Sequence, residues 1–447
     1  MKPSYFNIIL EDFPNKDSCL IYNTKTQALL EVEKDLGLLL KKNKGKQVIL
    51  DDTEYYPLIE EGICVPDNDD EEENLKKWAD EISYKRDSLN ITFLVTSRCN
   101  FACDYCFEKS FDNFDMTMQT VDLSCDWIIK KARQRNVKSV NLFYYGGEPL
   151  LRKDIIALSS KKIKKGLDKE SINFNFGIVT NGFLIDIDTT KLLSNYGLKY
   201  YRITLDGSEK WHDKRRVLKN GKGTFNTIIK NIYKLKDSGV DIYISGNYDK
   251  NTYKGIIELI EYIGNSELKN IIKRMYFAPL LDVNGEKNNV CLIEKGKAST
   301  DSSMYLAEIS EIKEKMKSYG FSSSGEDGVN IMLCPFKIYD FDIVIAPDGV
   351  LYKCPVSLGM NKFSVGHISS LDLNDFNDKM VKNDAWRKCF PCVYLPMCYG
   401  GCPFKAYLNT GNIFEINCPR TYFDSVIYDL IANEYKKYKM ELHLSSH

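Results

Sequence analysis

The stretch NITFLVTSRCNFACDYC, residues 90–106, joins an apolar strand pattern to three closely spaced cysteines. Cys99, Cys103 and Cys106 follow the spacing Cys-x3-Cys-x2-Cys, which lets three thiolates converge on one metal centre. Three cysteines around a four-iron cluster leave one iron open for a ligand that is not protein. A structural zinc site needs a fourth Cys or His close by, and none of the chain's 4 histidines is near. The pattern therefore favours an iron–sulfur cluster.

Strand and helix patterns alternate after residue 89. The predicted strands are residues 90–97, 139–147, 174–182, 199–207, 241–247 and 274–281. The predicted helices lie near 117–134, 153–165, 188–196, 223–238 and 254–264. Such alternation builds a parallel sheet with right-handed crossovers. Because six units are two short of a closed eight-stranded barrel, we expect an α/β fold with an open, partial (β/α)6 barrel of the TIM type.

Polar residues follow several of these strands, where barrel enzymes carry their sites. Gly146-Gly147-Glu148 closes the second strand. Glycines let a ligand approach the backbone, and a carboxylate pairs with an ammonium group. A plain strand-to-helix turn also explains this motif.

The loop CNFACDYC, residues 99–106, resembles the signature loop of the radical S-adenosylmethionine (SAM) superfamily, including the aromatic residue before the last cysteine. The resemblance implies that the open iron binds SAM and that one electron cleaves SAM to a 5′-deoxyadenosyl radical. It also implies a set of SAM-binding residues: Tyr105, Gly146, Gly147, Glu148, Thr204, Arg216 and Asn247. For Thr204, Arg216 and Asn247, a turn or a surface charge pair is the alternative.

A second group of seven cysteines lies between residues 334 and 418 and resembles the SPASM domain, which holds two auxiliary four-iron clusters. The resemblance implies that Cys334, Cys354 and Cys402 hold an inner cluster. It assigns the outer cluster to Cys389, Cys392, Cys398 and Cys418. Seven ligands leave one position short, so either Cys291 completes the inner cluster or one iron stays open and binds a substrate thiolate. A pair of zinc ribbons is the alternative.

The N-terminal region shows a hairpin pattern at 19–32 and helical patterns near 33–42 and 55–63. It resembles the peptide-recognition domain of ribosomal-peptide maturases, which holds a leader peptide as an added strand; the alternative is simple packing on the barrel. The predicted domains are 1–66 (winged-helix-like recognition), 67–88 (linker and helix), 89–285 (barrel), 286–333 (bridge), 334–425 (SPASM) and 426–447 (C-terminal helix and tail).

Composition indicates a cytoplasmic protein. The 447 residues are 43% hydrophobic and carry a net charge of −1, so no strongly basic surface recruits nucleic acid or anionic membrane. No apolar run approaches the roughly 20 residues that cross a bilayer, and the N-terminus does not resemble a signal peptide. In a reducing cytosol, clustered cysteines indicate metal or redox chemistry, while the scattered Cys19, Cys64 and Cys125 read as small buried hydrophobes.

The resemblance implies an oxidoreductase acting on a ribosomally made precursor peptide with a leader, with flavodoxin or ferredoxin as electron donor. Because seven cysteines leave one position of the two auxiliary clusters without a protein ligand, a thioether cross-link is the preferred product. A carbon–carbon or carbon–oxygen link is the rival. Sulfatase maturases carry an aspartate as catalytic base after the second SPASM cysteine, where this chain has Pro355. Sulfatase maturation and quinone-cofactor maturation are therefore the weaker alternatives.

Overall fold

A computed structural model of the chain describes residues 1–49, 52–106, 114–280, 305–321 and 333–445. The chain forms two compact units. The terminal unit consists of Met1–Tyr84, Gly325–Lys337 and Lys382–His447, and the barrel unit of Lys85–Ser324 and Ile338–Val381. Among the described residues, no helix combines the length and the apolar character needed to cross a bilayer.

The terminal unit begins with a small antiparallel sheet in the order β2-β3-β4, and β1 pairs with β5. Its N-terminal elements are β1 (Lys2–Pro3), β2 (Asn7–Glu11), β3 (Ser18–Asn23), β4 (Leu29–Glu33), α1 (Lys34–Lys42), α2 (Asp52–Glu60), β5 (Cys64–Val65) and α3 (Glu71–Tyr84). The predicted hairpin is present as β3 and β4. Both edge strands, β2 and β4, pair on one side only within the described residues.

The barrel unit contains the predicted alternation of six parallel strands and helices. Its elements run β6 (Ser88–Thr96), α4 (Met118–Gln134), β7 (Ser139–Gly146), α5 (Lys153–Asp168), β8 (Asn173–Thr180), α6 (Ile187–Ser194), β9 (Leu198–Thr204), α7 (Glu209–Arg215), α8 (Phe225–Lys234), β10 (Asp241–Tyr248), α9 (Tyr253–Gly264), α10 (Leu268–Ile271), β11 (Ile272–Pro279) and α11 (Leu306–Ser318). Strands β6 to β11 are neighbours in sequence order and all parallel. The partial-barrel prediction is confirmed.

The sheet does not end at β6, as the six-strand prediction implied. A seventh parallel strand, β12 (Asp342–Ile345), pairs with β6, with Ile343 opposite Ile91. The antiparallel strands β13 (Val350–Tyr352) and β14 (Gly366–His367) extend it, and α12 (Asp375–Val381) follows. An unpaired sheet edge is a template for aggregation, so the later segment protects the edge next to the Cys99 loop.

The strands of the barrel bury one row of side chains and leave the other on the concave face. In β10, Ile242 and Ile244 are buried. Tyr243, which lies between them, and Asn247, near the end of the strand, are partly exposed. Successive side chains of a strand point to opposite faces, and the buried row packs towards helices such as α9. Polar side chains at alternate positions are thereby presented to the inside of the barrel.

The terminal unit closes with α13 (Leu395–Cys398), α14 (Pro403–Thr410) and α15 (Arg420–Ser445). Leu10 and Tyr22 of the small sheet share one hydrophobic core with Ile427 and Ile431 of α15. Tyr435 donates a 2.6 Å hydrogen bond to Glu31. The N-terminal strands and the C-terminal helix therefore stabilise each other, and residues 334–425 contribute to both units. The domain limits predicted from the sequence remain predictions.

Candidate functional site

The loop of Cys99, Cys103 and Cys106 follows directly after β6 and is fixed to a neighbouring segment of the barrel unit. Ala102 N–H donates to the carbonyl of Val217 at 2.8 Å, and Phe101 forms an isolated bridge with Leu218. Phe101 N–H donates to Cys99 Sγ at 3.4 Å. These contacts hold the loop at the carboxyl end of the parallel sheet.

The three thiols of this loop are close neighbours. Burial raises the pKa of Cys99 to about 12, and the negative charges of Glu148, Cys103 and Cys106 raise it further. Three thiolates in such a place need a compensating positive centre, which a bound iron–sulfur cluster supplies. Among the described residues, no three Cys, His, Asp or Glu side chains surround the position of a single metal ion. The assignment of these thiols as cluster ligands remains a prediction.

Gly146 and Gly147 lie where the ends of β6 and β7 meet. Gly146 has φ +129°, and a Cβ there would lie 2.2 Å from Thr96 O. A Cβ on Gly147 would lie 2.3 Å from Arg98 O. The glycines therefore allow the backbone of β7 to approach the backbone after β6, which is a different reason from the room for a ligand that the sequence predicted.

Glu148 is completely buried and ties two strand ends together. Its Oε1 accepts from Leu150 N–H at 3.0 Å and Thr180 Oγ1 at 2.7 Å, and its Oε2 accepts from Asn181 N–H at 2.7 Å. Burial raises the pKa of Glu148, while these hydrogen bonds act in the opposite direction. The carboxylate thus organises the turn after β7, and its predicted contact with the SAM amino group remains a prediction.

Tyr105 and Arg216 belong to a buried polar network that includes Asp206. The Tyr105 hydroxyl donates to Asp206 and accepts from Arg216. Burial raises the pKa of Tyr105 well above its usual value, and the positive charge of Arg216 opposes this. In the described part of the chain, the buried Nε of Arg216 has no hydrogen-bond partner. A free guanidinium N–H fits a ligand with a carboxylate, such as SAM.

Thr204 and Asn247 lie at the carboxyl ends of β9 and β10, as the sequence predicted. Thr204 Oγ1 is 3.4 Å from Ser245 Oγ. The backbone N–H of Asn247 donates to Asp206 Oδ1 at 2.9 Å, which links this strand end to Tyr105 and Arg216. Both side chains are partly exposed on the concave face, where a ligand can reach them.

Two residues of this site had no role in the sequence prediction. Asp206 joins Tyr105, Arg216 and the backbone of Asn247. Asn181 donates from its side chain to Asn100 in the cysteine loop at 2.8 Å. Their position after strands β9 and β8 was the available signal, since strand ends converge at one edge of a parallel sheet.

The second cysteine group is divided between the units. Cys354 belongs to the barrel unit, and the other six described cysteines of the group belong to the terminal unit. A hydrogen bond with Cys334 lowers the pKa of Cys402 to about 6, and backbone N–H groups of Lys405 and Phe404 act in the same direction. Cys334 and Cys402, two predicted ligands of the inner cluster, are therefore in contact.

The predicted ligands of the outer cluster are also near one another. Burial raises the pKa of Cys389, and Cys418 and Cys392 raise it further through their charge. Burial raises the pKa of Cys398 to about 11, with contributions from Cys389 and Cys392. Cys291, the proposed additional ligand, lies outside the described residues.

Comparisons with known proteins agree with this geometry. Residues 93–270 match the model of the radical SAM superfamily. A cysteine-type anaerobic sulfatase-maturating enzyme of Clostridium novyi is 25% identical over 332 residues, which is 69% of this chain and 86% of the relative. A GTP 3′,8-cyclase of Campylobacter jejuni is 30% identical over 233 residues, which is 48% of this chain and 68% of the relative.

Two solved structures share the fold. The anSMEcpe structure with bound AdoMet and a Kp18Cys peptide has a TM-score of 0.62 and 20% identity, covering 77% of this chain and 99% of that one. Streptococcus suis SuiB, solved with its precursor peptide SuiA, has a TM-score of 0.54 and 17% identity, covering 93% and 98%. Given the barrel, the cysteine loop at its carboxyl end and the match to relatives over most of their length, the chain belongs to the radical SAM superfamily of enzymes.

Proposed function

We propose that this enzyme is a peptide maturase that installs a cross-link, preferably a thioether, in a ribosomally made precursor peptide. The observation that carries the proposal is the grouping of Cys99, Cys103 and Cys106 beside Glu148 at the carboxyl ends of the strands. When bound at such a cluster, SAM supplies a radical that removes a hydrogen atom from an unactivated carbon. The Tyr105, Asp206 and Arg216 network would orient SAM, and the barrel would shield the reacting atoms from water.

The peptide substrate is supported by relatives with the same fold. SuiB was solved with the precursor peptide SuiA, and anSMEcpe with a cysteine-containing peptide. Forming a thioether from a thiol and a carbon–hydrogen bond removes two hydrogen atoms, so one further electron must leave the substrate. The hydrogen bond between Cys334 and Cys402, and the electrostatic influence of Cys389 and Cys392 on Cys398, support two auxiliary clusters as its acceptor. The proposed complement is three [4Fe-4S] clusters, with flavodoxin or ferredoxin as the external donor.

Sulfatase maturation is the second candidate, because the Clostridium novyi relative carries that name and is matched over 86% of its length. Against it, Pro355 follows Cys354 and starts a short 3-10 turn, so no carboxylate stands at that position. A cyclic side chain without an ionisable group cannot serve as a general base.

The first experiment tests the SAM chemistry. Anaerobically reconstituted enzyme should contain iron and sulfide and should form 5′-deoxyadenosine from SAM and dithionite. Cys99→Ala should abolish this product and lower the iron content, whereas Cys125→Ala, a buried thiol inside α4, should retain both. Wild-type enzyme that holds iron but never cleaves SAM would reject the proposal.

The second experiment separates the candidate products by mass spectrometry of a treated peptide. A thioether retains the cysteine sulfur and loses two hydrogen atoms, whereas sulfatase maturation replaces the thiol by an aldehyde. Iodoacetamide labelling distinguishes them from a carbon–carbon or carbon–oxygen link, since only these two products keep a free thiol.

Leader recognition is a proposal supported by the edge strand β4. The ladder hydrogen bonds of β3 and β4 alternate, with Asn23 N–H donating to Ala28 O and Lys34 N–H donating to Asp17 O. The N–H of Glu33 therefore points away from β3, and its φ of −57° suits proline. Glu33→Pro should weaken modification of a leader-bearing precursor, while Glu33→Ala, which keeps the N–H, should not. Deleting the region is a poorer test, because its strands share a core with α15.

A further inference from the structure

The concave face of the barrel sheet holds a cavity of about 520 Å³, and none of its described lining residues is a predicted cluster ligand or a predicted SAM-binding residue. It is lined by residues among the first five of each strand from β7 to β11, including Tyr200, Tyr243 and Tyr276. Tyr200 precedes Thr204 by four residues on β9, a distance of roughly 13 Å along a strand. The cavity and the cysteine loop therefore lie towards opposite ends of one concave surface in the barrel unit.

Aromatic rings form the floor of this cavity. The ring of Tyr200 stacks on Tyr243 with centroids 4.7 Å apart. It also lies over Gly177, where a Cβ would come within 2.3 Å of the ring, so a larger residue would displace Tyr200. Burial raises the pKa of Tyr200 to about 12, and its hydroxyl is therefore neutral. The result is a flat, uncharged surface beside polar side chains.

Cationic side chains outnumber acidic ones around the cavity, where the Tyr243 hydroxyl donates to Asp241 at 3.5 Å and the charge of Asp241 also acts on Arg274. Among the described lining residues, Lys199, Arg202 and Arg274 are basic and none is Asp or Glu. The Arg202 guanidinium lies 5.1 Å from the ring of Tyr276, and Arg274 also hydrogen-bonds to Tyr276. Two arginines thus converge on one tyrosine, although they come from strands separated by β10. Paired guanidinium groups on an aromatic support are suited to carboxylates.

We propose that this cavity binds an acidic side chain of the peptide substrate, about four residues along the peptide from the residue that reacts at the carboxyl end of the barrel. The inference rests on the proposed peptide-maturase function. An extended peptide advances roughly 3.3 Å per residue, so four residues span the interval between Tyr200 and Thr204. The acidic side chain would set which residue of the peptide meets the radical.

The test is binding of a fluorescein-labelled peptide to the full chain, measured by fluorescence anisotropy at about 50 mM salt, where charge pairs are weakly screened. One probe alternates Glu with Ala, and its partner has Gln in place of every Glu. We expect the Glu probe to bind about tenfold or more tightly than the Gln probe, as for hydrogen bonds to charged groups. Arg202→Gln with Arg274→Gln should erase this preference.

The matched control is Lys130→Gln with Arg133→Gln, which removes two charges from the exposed side of α4 and should leave the preference intact. Equal binding of both probes to the wild type, or an unchanged preference in the arginine variant, overturns the proposal. Competition with GTP is a further test. If GTP displaces the Glu probe at a lower concentration than the unlabelled Glu peptide does, the cavity is a nucleotide site and the proposal is overturned.

The binding assay needs neither SAM nor reductant, so its outcome is separable from that of the proposed function. A Glu preference in an enzyme that modifies no peptide would reject the maturase and keep the acidic-ligand site. Modified peptide without any Glu preference would keep the maturase and reject the site.

Discussion

Arg216 donates a hydrogen bond to the hydroxyl of Tyr105, and that hydroxyl donates in turn to Asp206. The tyrosine comes from the cysteine loop, whereas the arginine and the aspartate come from the segment after β9. The network therefore couples the position of the predicted cluster ligands to the strand ends that would hold SAM.

Tyr105→Phe tests this coupling. Removing the hydroxyl deprives the buried guanidinium of Arg216 and the buried Oδ2 of Asp206 of the hydrogen bonds that they make to it, which costs about 1–3 kcal/mol of stability. Urea unfolding followed by circular dichroism measures the loss. Tyr233→Phe, at a side chain that is 37% exposed, is the control and should change stability by less than about 0.5 kcal/mol. Equal stability of Tyr105→Phe and wild type would show that the network is not needed.

Glu148→Gln should destabilise the barrel unit by about 1–3 kcal/mol. Both carboxylate oxygens of Glu148 accept hydrogen bonds, and the amide N–H₂ of glutamine would place a second donor against one of these donors. The loss also depends on pH. Burial raises the pKa of Glu148 above its usual 4.5, so the folded protein binds this proton more tightly than the unfolded chain. Wild-type stability therefore falls as the pH rises from the usual value through the raised one.

The glutamine variant lacks this titration, and its deficit relative to wild type should shrink as the pH rises. Urea midpoints at about pH 5 and about pH 8 provide the measurement. A deficit that grows with pH contradicts the assignment. Asp168→Asn, at an exposed acid of α5, should show little deficit at either pH.

The buried side chain of His212 should make the folded protein less stable in mild acid. It accepts from Asp206 N–H at Nδ1 and contacts Thr224 Oγ1 at 3.0 Å through Nε2. Burial lowers its pKa well below 6.5, and the charge of Arg216 acts in the same direction. Below pH 6.5 the unfolded chain takes up the proton and the folded protein does not, so stability falls by about 1.4 kcal/mol per pH unit.

Comparing wild type with His212→Gln between about pH 5 and about pH 7 isolates this contribution, since the variant should lack it. His367→Gln, at the exposed histidine of β14, should retain the wild-type pH dependence. An identical slope in the wild type and in His212→Gln would mean that another group is responsible.

The strand–helix alternation and the ends of β9 and β10 were predictable because they depend on local apolar periodicity. Thr204 and Asn247 accordingly lie where the sequence placed them. The Glu148 turn was predicted as a motif, but its partners Thr180 and Asn181 are more than 30 residues away. Their hydrogen bonds depend on the spacing between β7 and β8, which no local pattern encodes.

Strand β12 also could not be predicted from local sequence patterns. Its four residues, Asp342–Ile345, resemble any short apolar run. Asn90, which lies 252 residues away in the chain, donates to Asp342 Oδ1 across the β6–β12 pair. Pairing with the edge of β6 and with β13 makes this segment a strand, so a sequence prediction that ends the sheet at six strands misses it.

A buried ion pair fixes the segment that leads into β12, and it gives the last prediction. Lys131 of α4 and Asp340 are each 2% exposed and lie 2.9 Å apart. Lys131 also donates to Leu371 O, and Arg135 supplies a second cation to Asp340 at 2.5 Å. Asp340→Asn leaves both cations without a countercharge, one of them fully buried, and should cost about 3–5 kcal/mol.

Lys131→Met should cost less than Asp340→Asn, because Asp340 keeps Arg135 as its partner. The double variant Lys131→Met with Asp340→Leu should be more stable than Asp340→Asn alone, since replacing a buried pair by apolar groups removes its desolvation penalty. Urea unfolding of the three variants provides the comparison, with Asp87→Asn, at an exposed pair with Lys138, as a control that should change little. If the double variant were the least stable, the pair would contribute more than its desolvation costs. The attachment of β12 next to the cysteine loop would then depend on this charge pair rather than on apolar packing.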